Sequence, residues 1–359
     1  MNIIKKAFTR NLLQWNRKQN DRKMPWKAEK DPYKIWLSEI ILQQTRVEQG
    51  VNYYESFIKH FPTVQQLASA KTEKVFKLWE GLGYYQRCKN LLNTASVIAK
   101  EHNGIFPNTY EGLLALKGIG PYTAAAIASF AYNAPHAVLD GNVFRVLARV
   151  FGMHTPADTG SGKKIYAALA QELLSKKKPG AYNQAIMDFG ATVCKPRNPG
   201  CTTCVMRSFC TAYAENKVHL LPEKEKKMAV KKRWFYYFIA EQNGAVYLFK
   251  RTNSGIWENL YEFFLAETDK PVTLSQKTIK KMLEPLGKNL VVHKWAASPV
   301  YTQRLTHRQI EAVFTEVQVT GKINAKGAVA VPREQLNQYA FPRVIREYIS
   351  TSKPLPNGP

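Results

Sequence analysis

Residues Leu113 to Arg149, LLALKGIGPYTAAAIASFAYNAPHAVLDGNVFRVLAR, form the stretch around which the rest of the chain is arranged. A small turn, Gly118-Ile119-Gly120-Pro121, divides an apolar lead-in from Thr123–Phe130, a segment rich in alanine. Gly118 and Gly120 let backbone N–H groups turn outward, where they meet an anion such as phosphate. Alanines after the turn allow a second helix to pack closely on its neighbours. Asp140 then ends the apolar run Ala137-Val138-Leu139 and precedes Gly141-Asn142-Val143. The pattern predicts helix, hairpin, helix and then an acid: a clamp on a nucleic-acid backbone beside a reactive carboxylate.

The totals agree. With 359 residues the chain can bury two cores. Lys and Arg outnumber Asp and Glu by 52 to 27, a formal charge of +25 that calls for a polyanionic partner. No apolar run is long enough to span a bilayer, so no membrane role is expected. The N-terminal MNIIKKAFTRNLLQWNRK is basic, but its apolar spacing fits an amphipathic helix, and it lacks the core of a secretion signal. A reducing compartment is expected: the cytoplasm, in association with the nucleoid, if the source is prokaryotic. Four of the five cysteines, Cys194, Cys201, Cys204 and Cys210, are bunched within seventeen residues, and Cys88 stands apart in a helical pattern. Such a quartet in a large chain of a reducing compartment indicates a metal centre rather than disulfides. The C-x6-C-x2-C-x5-C spacing by itself leaves two candidates, a structural zinc and a [4Fe–4S] cluster.

Along the chain, Asp31-Pro32 reads as a helix start with Asp as N-cap and Pro at the first helical position. The helix carries Tyr33, Trp36, Leu37, Ile40 and Ile41 and ends around Leu42–Thr45. Helical spacing continues through Val51–Phe61, Val64–Ala70, Val75–Leu82, Gln86–Glu101, Lys163–Leu174 and Tyr182–Val193. Strand-like alternation is absent up to the cysteines, so residues 1–215 are expected to be all-α. Residues 216–233 are charged and read as a linker. Beyond them, aromatic and β-branched runs at Trp234–Ala240, Ala245–Lys250, Leu260–Ala266, Leu290–Trp295 and Ile310–Val319 predict strands, the first two joined at Gln242-Asn243-Gly244. Thr278–Leu286 and Phe341–Ile349 read as helices, giving a smaller α+β domain over 234–350 and a disordered tail over 351–359.

The cysteine spacing, lying downstream of L-x-G-I-G-x-x-T-A at Leu116–Ala124 and of the Leu139-Asp140-Gly141-Asn142-Val143 aspartate, resembles the endonuclease III superfamily of helix-hairpin-helix DNA glycosylases. The resemblance implies that Cys194, Cys201, Cys204 and Cys210 hold a [4Fe–4S] cluster serving folding and DNA docking. Within the superfamily, enzymes that also cut the strand carry a lysine two residues past the second glycine. Here that residue is Tyr122, and a phenol cannot form an imine, so the resemblance implies a monofunctional enzyme. Pro25-Trp26, the segment Trp36–Thr45 (WLSEIILQQT), Gly81-Leu82-Gly83-Tyr84-Tyr85, Asn183–Gly190 (NQAIMDFG) and Trp257–Phe263 (WENLYEF) resemble the MutY branch. Its members remove adenine mispaired with 8-oxoguanine or guanine in double-stranded DNA. A monomer is expected.

The residues suit that chemistry. Cleaving an N-glycosidic bond to adenine needs a proton on the departing base and stabilisation of a cationic sugar. Two carboxyl groups in opposite protonation states meet both needs. Glu39, on an otherwise apolar helix, would be held neutral by burial and act as general acid. Asp140, at a helix start, would be held ionised by the helix N-terminus and Asn142 and serve the oxocarbenium ion. Tyr122 and Asn142 are candidates to orient the two acids. The plain alternatives are a solvated helix glutamate for Glu39 and a bare N-cap for Asp140.

Adenine must leave the stack to reach buried acids, so base flipping is implied. Trp26, Leu42 and Val47 look like pocket walls, and the Gln184 amide can read the purine N6/N7 edge. Gln44 and Tyr84 resemble wedge residues, with simple packing as the other reading. Relatives often carry arginine where Lys27 stands, which loses the planar fork. The resemblance further implies a Nudix-like fold for the second domain, without the glutamate-rich motif of active Nudix hydrolases. Thr306 and His307 match its lesion-reading loop, although Leu305 replaces an aromatic. Two competing readings remain: a thymine-mismatch or oxidised-pyrimidine glycosylase, and a non-catalytic DNA-binding protein with a cluster.

Overall fold

The computed structural model describes residues 2–43, 45–225, 230–253, 255–287 and 289–351. In chain order the helices of the first part are α1 (Asn2–Lys18), α2 (Pro32–Leu42), α3 (Val47–His60), α4 (Val64–Ala68), α5 (Thr72–Trp79), α6 (Gln86–Glu101), α7 (Tyr110–Leu114), α8 (Pro121–Tyr132), α9 (Gly141–Phe151), α10 (Gly160–Leu173), α11 (Pro179–Thr192) and α12 (Thr211–Ala214). No strand occurs before residue 231 among the described residues, and none of the described helices is long and apolar enough to cross a membrane.

The chain divides into two compact units: Met1–Ser69 with Asn90–Lys227, and Ala70–Lys89 with Met228–Pro359. The break at 227/228 falls inside the stretch read as a linker. Residues 70–89, which the sequence places in the all-α part, group with the C-terminal unit instead.

In the first unit, Phe8, Leu12 and Trp15 of α1 pack with Val146, Leu147 and Val150 of α9 and with Ile186 and Phe189 of α11. The Trp15 ring meets Phe189 edge-on at 5.0 Å. Helix α2 starts as its sequence predicts: Pro32 is the first helical residue and the Asp31 side chain accepts from the Tyr33 N–H at 2.9 Å. Every residue from Ile35 to Ile41 is buried, so α2 runs through the interior rather than along a surface. Small side chains make this possible, for Ala124 to Ala128 of α8 are buried where α2 and α8 meet. Gly180 does the same for α11, where an added Cβ would come within 2.7 Å of the Ser129 carbonyl oxygen of α8.

The hairpin between α7 and α8 turns on Gly118, whose φ of +82° strongly favours glycine; a Cβ there would also strike Asn90 at 2.7 Å. Gly120 is different. It caps α8 at φ −89° with open space around its missing Cβ, so the backbone lies bare rather than bent there.

The second unit is built on a mixed sheet. Its strands are β1 (Lys231–Gln242), β2 (Ala245–Lys250), β3 (Tyr261–Thr268), β4 (Val291–Ala297), β5 (Tyr301–Arg304), β6 (Arg308–Thr320) and β7 (Ala328–Pro332). They run in the order β4-β6-β1-β3-β2-β7, with β5 also paired to β6. The central pair, β1 and β6, is parallel over eleven residue pairs from Lys231↔Arg308 to Glu241↔Gln318. Parallel strands are covered on both faces, which explains the unbroken apolar run Trp234–Ala240. Tyr236, Phe238 and Ala240 face a core shared with Ile279 and Leu283 of α13 (Gln276–Leu283). On the opposite face Tyr237 stacks on Phe314, which stacks at 4.1 Å on Tyr348 of α14 (Arg343–Thr351). Asn243 and Gly244, both at positive φ, make the expected β1–β2 turn.

Candidate active site

Glu39 is 5% exposed in the middle of α2. Its Oε2 accepts a 2.6 Å hydrogen bond from the Tyr122 hydroxyl, in the first turn of α8. Burial pushes the Glu39 carboxyl up to about 7; the Tyr122 hydrogen bond opposes this and the nearby Asp140 charge adds to it. Tyr122 is itself held protonated, since burial and the Glu39 and Asp140 carboxyls all push its hydroxyl upward. The phenol therefore lies within the field of both acids and donates to one.

Asp140 is the N-cap of α9. Its Oδ1 accepts from the Val143 N–H at 2.8 Å and its Oδ2 from the Asn142 amide at 2.7 Å. Burial raises its pKa from the ordinary carboxylate value, opposed by the Val143 N–H, the Asn142 amide and N–H, and the Arg145 cation. In sequence the helix N-terminus and Asn142 are visible, and both favour the ionised carboxylate. Burial of the carboxyl group reverses the net direction, although the helix start around it is partly exposed. Donors still separate the two acids: Asp140 takes two hydrogen bonds and faces a cation, whereas Glu39 takes one from a neutral phenol. Glu39 is thus the group that keeps its proton more readily.

Asn142 is held in turn. Its Oδ1 accepts from Arg145 Nη2 at 2.8 Å, and Arg145 also donates to the Gly190 carbonyl at 2.7 Å and the Cys194 carbonyl at 2.8 Å. Gly190 allows this close fit, since a Cβ there would fall 2.6 Å from the Asn142 Cβ.

A cavity of about 240 Å³ opens beside Glu39. Trp26, Lys27, Ser38, Phe130 and Gln184 are among its walls. The Trp26 ring is braced edge-on by Tyr54 at 5.2 Å. This space joins an aromatic wall, an amide and a neutral acid, the set needed to stack, read and protonate a flat heterocyclic base. Leu42 and Val47 are not among its walls: Leu42 ends α2 and packs against Gly50 of α3. Gln44 lies outside the described residues.

A hydrolase that acts on DNA bases fits this arrangement, and the comparisons say which. The profile of the HhH-GPD superfamily base excision DNA repair proteins matches residues 37–174, and that of the NUDIX domain matches residues 235–351. The adenine DNA glycosylase of Buchnera aphidicola subsp. Baizongia pistaciae is 36% identical over 266 residues, 73% of this chain and 75% of that protein. The chain belongs to the adenine DNA glycosylase family. The Rattus norvegicus adenine DNA glycosylase is 32% identical over 373 residues, 88% of this chain and 70% of its own length. Among solved structures, a thermostable thymine-DNA glycosylase matches with a TM-score of 0.56 and 29% identity, covering 60% of this chain and 98% of that one. This glycosylase accordingly hydrolyses N-glycosidic bonds in base excision repair, on a helical domain of endonuclease III type followed by a Nudix-like domain.

In the glycosylase's second unit, Tyr84 is 49% exposed on a turn where Gly81, Gly83 and Tyr84 itself all have positive φ. A bulky residue in the left-handed region is uncommon and marks local backbone strain. Arg87 lies 5.5 Å from the Tyr84 ring centre and 5.3 Å from that of Trp79, so the guanidinium supports the phenol from below. Thr306 and His307 are exposed in the turn between β5 and β6, not within a strand.

The four bunched cysteines occupy the loop after α11 and the start of α12. Burial raises the thiols of Cys201, Cys204 and Cys210, Cys204 to about 11, and each also feels Cys194. Buried Arg149 points Nη1 at Cys194 Sγ (3.5 Å) and at the Lys195 carbonyl (2.8 Å). Among the described residues no three ligand side chains close to metal-binding separation. The donor set nevertheless fits a thiolate-bound cluster: four sulfurs in mutual electrostatic range, with a buried cation facing them. Cys88 is fully buried elsewhere.

One polar residue of the Asn183–Gly190 run has a role that the sequence does not reveal. Asp188 is 0% exposed, and Arg22, Lys27, Asn20 and Gln184 all converge on it. Its partners at the N-terminus are some 166 residues away in the chain, so no local spacing could announce them.

Proposed function

We propose that this glycosylase removes adenine opposite 8-oxoguanine, and more slowly opposite guanine, from double-stranded DNA and leaves the strand uncut. The observation that carries the reading is the Glu39–Tyr122 hydrogen bond within the field of Asp140, beside a cavity walled by Trp26 and Gln184. The adenine nucleotide turns out of the duplex into that cavity. Trp26 stacks on the base, and Gln184 takes its N6/N7 edge. Glu39 gives its proton to the base at N7 as the glycosidic bond breaks, with Tyr122 holding the carboxyl in place. Asp140, oriented by Asn142 and the Val143 N–H, opposes the positive charge that develops on the sugar. Water then adds to the sugar and the free base departs. The bare backbone at Gly118 and Gly120 grips a phosphate of the same strand. Tyr84 fills the stack near the lesion, and Thr306 with His307 reads the oxidised guanine.

Strand cleavage by a glycosylase needs an amine that can form a Schiff base with the sugar, and the hairpin position offers the Tyr122 phenol instead. The test uses duplexes carrying adenine opposite 8-oxoguanine, thymine opposite guanine, or an oxidised pyrimidine, analysed with and without alkali. Breakage at adenine alone, and only after alkali, is expected. Breakage at thymine would favour the specificity named for the thymine-DNA glycosylase that the first domain resembles. Breakage without alkali would overturn the monofunctional reading.

Cys194, Cys201, Cys204 and Cys210 would hold a [4Fe–4S] cluster. When bound, such a cluster ties down the loop after α11 and helps dock the DNA. The purified protein is expected to be brown and to carry about four irons per chain. Stoichiometric zinc without iron would overturn the assignment.

A further inference from the structure

We propose that Asp188 is a positioning residue that turns the oxygen of the Gln184 amide toward the bound base, and thereby sets a preference for 6-amino over 6-keto purines. The inference rests on the reading of the cavity as the adenine pocket.

The two residues are one helical turn apart on α11, and Gln184 Nε2 donates to Asp188 Oδ1 at 3.1 Å. The same oxygen accepts from Arg22 Nη1 at 2.8 Å, and Oδ2 accepts from Asn20 Nδ2 at 2.9 Å and faces Lys27 Nζ at 3.3 Å. Every group around this fully buried carboxylate is a donor, and two of them are cations. A carboxylate offers lone pairs only, so the amide must present its nitrogen to Asp188. One arm of the Gln184 amide is thereby committed, and the carbonyl oxygen on the other arm remains for a ligand in the cavity that Gln184 helps to wall. An acceptor at that place pairs with the exocyclic amine of adenine. It meets the 6-oxygen of hypoxanthine lone pair to lone pair, which leaves both unsatisfied. Without the carboxylate the amide could rotate, and the distinction would fade.

The test compares single-turnover release of adenine and of hypoxanthine, each opposite 8-oxoguanine, by the full chain and by Gln184→Ala, Asp188→Asn and the double variant. Gln184→Ala is expected to lower the adenine-to-hypoxanthine ratio by about tenfold, the equivalent of one hydrogen bond. Asp188→Asn is expected to lower it by a similar factor. The double variant should show no further loss beyond Gln184→Ala, because both changes act on one contact. A merely structural Asp188 would slow both bases alike and leave the ratio untouched, which overturns the inference. So would multiplicative losses in the double variant, or an unchanged ratio in Gln184→Ala. Absence of adenine release by the unaltered chain would overturn the pocket reading itself, and the inference with it. If Asp188→Asn does not fold, side-chain amide NMR of the unaltered chain with 15N-glutamine decides the matter. One Gln184 amide proton, assigned by its loss in Gln184→Ala, should be protected from exchange, and two freely exchanging protons would overturn the inference.

Discussion

Glu39→Gln is expected to slow adenine release by roughly 10²–10⁴-fold, the range that a positioned general acid supplies, while making the fold more stable at pH 8. Both effects come from one cause. The Glu39 carboxyl titrates at about 7 because it is buried, against an ordinary value of 4.5. Its folded-state value is the higher one, so its stability contribution is fully present below about 4.5 and is lost as pH rises through about 7. The shift of about 2.5 units corresponds to about 3 kcal/mol, an upper figure for what the buried charge costs at alkaline pH. Glutamine keeps an oxygen for the Tyr122 hydroxyl and carries no charge. Denaturant unfolding at pH 5 and pH 8 should therefore show the variant gaining on the unaltered protein only at the higher pH. The rate profile runs the same way: single-turnover release should be level below about pH 6 and fall about tenfold per unit above 7, as the proton to be donated is lost. A rate that rises through this interval would remove Glu39 as the acid. Equal stability differences at the two pH values would show that it is not buried in the neutral form.

Asp140→Asn is expected to reduce release by roughly 10²–10³-fold or more, the scale of losing one preorganised group aimed at developing charge. Asparagine still caps α9, since its oxygen can accept the Val143 N–H. Its amide, however, would face the Asn142 amide across the 2.7 Å now spanned by a hydrogen bond. Asn142 cannot simply turn over, because its own oxygen is held by Arg145. The variant should fold, bind an adenine:8-oxoguanine duplex in a gel-shift assay with little loss, and fail to release the base. Retained release would return Asp140 to the role of an ordinary N-cap.

These two acids were readable in the sequence for a physical reason. Glu39 interrupts an apolar helix, and Asp140 stands at a helix start between an apolar run and a glycine. Helix α2 and strand β1 were equally legible, from an Asp-Pro start and from an unbroken aromatic run. Strands β5 and β7 were not. Tyr301–Arg304 is short and polar and exists as a strand because β6 lies beside it, while Ala328–Pro332 pairs with β2 alone. The direction of the Asp140 shift was missed because a helix N-terminus is visible in sequence and the burial of the carboxyl group is not. Asp188 was missed because its partners come from the loop after α1, far away in the chain. Leu42 looks like a pocket wall from the family resemblance, yet its side chain packs closely on Gly50.

Helical periodicity shows that α5 buries Val75, Phe76 and Trp79, but it does not show against what. Residues 70–89 belong with the C-terminal half: Glu80 Oε1 accepts the Phe341 N–H at 2.9 Å, Lys77 donates to the Tyr339 carbonyl at 2.9 Å, and Lys89 pairs with Glu258 at 2.6 Å. The Nudix-like half is thus completed by twenty residues borrowed from early in the gene product. A fragment ending near residue 227 retains both acids and all four bunched cysteines, yet strands the Tyr84 turn without the scaffold it rests on. The reciprocal fragment starts with a hole in its wall. Splitting this protein at its obvious seam does not yield two whole parts.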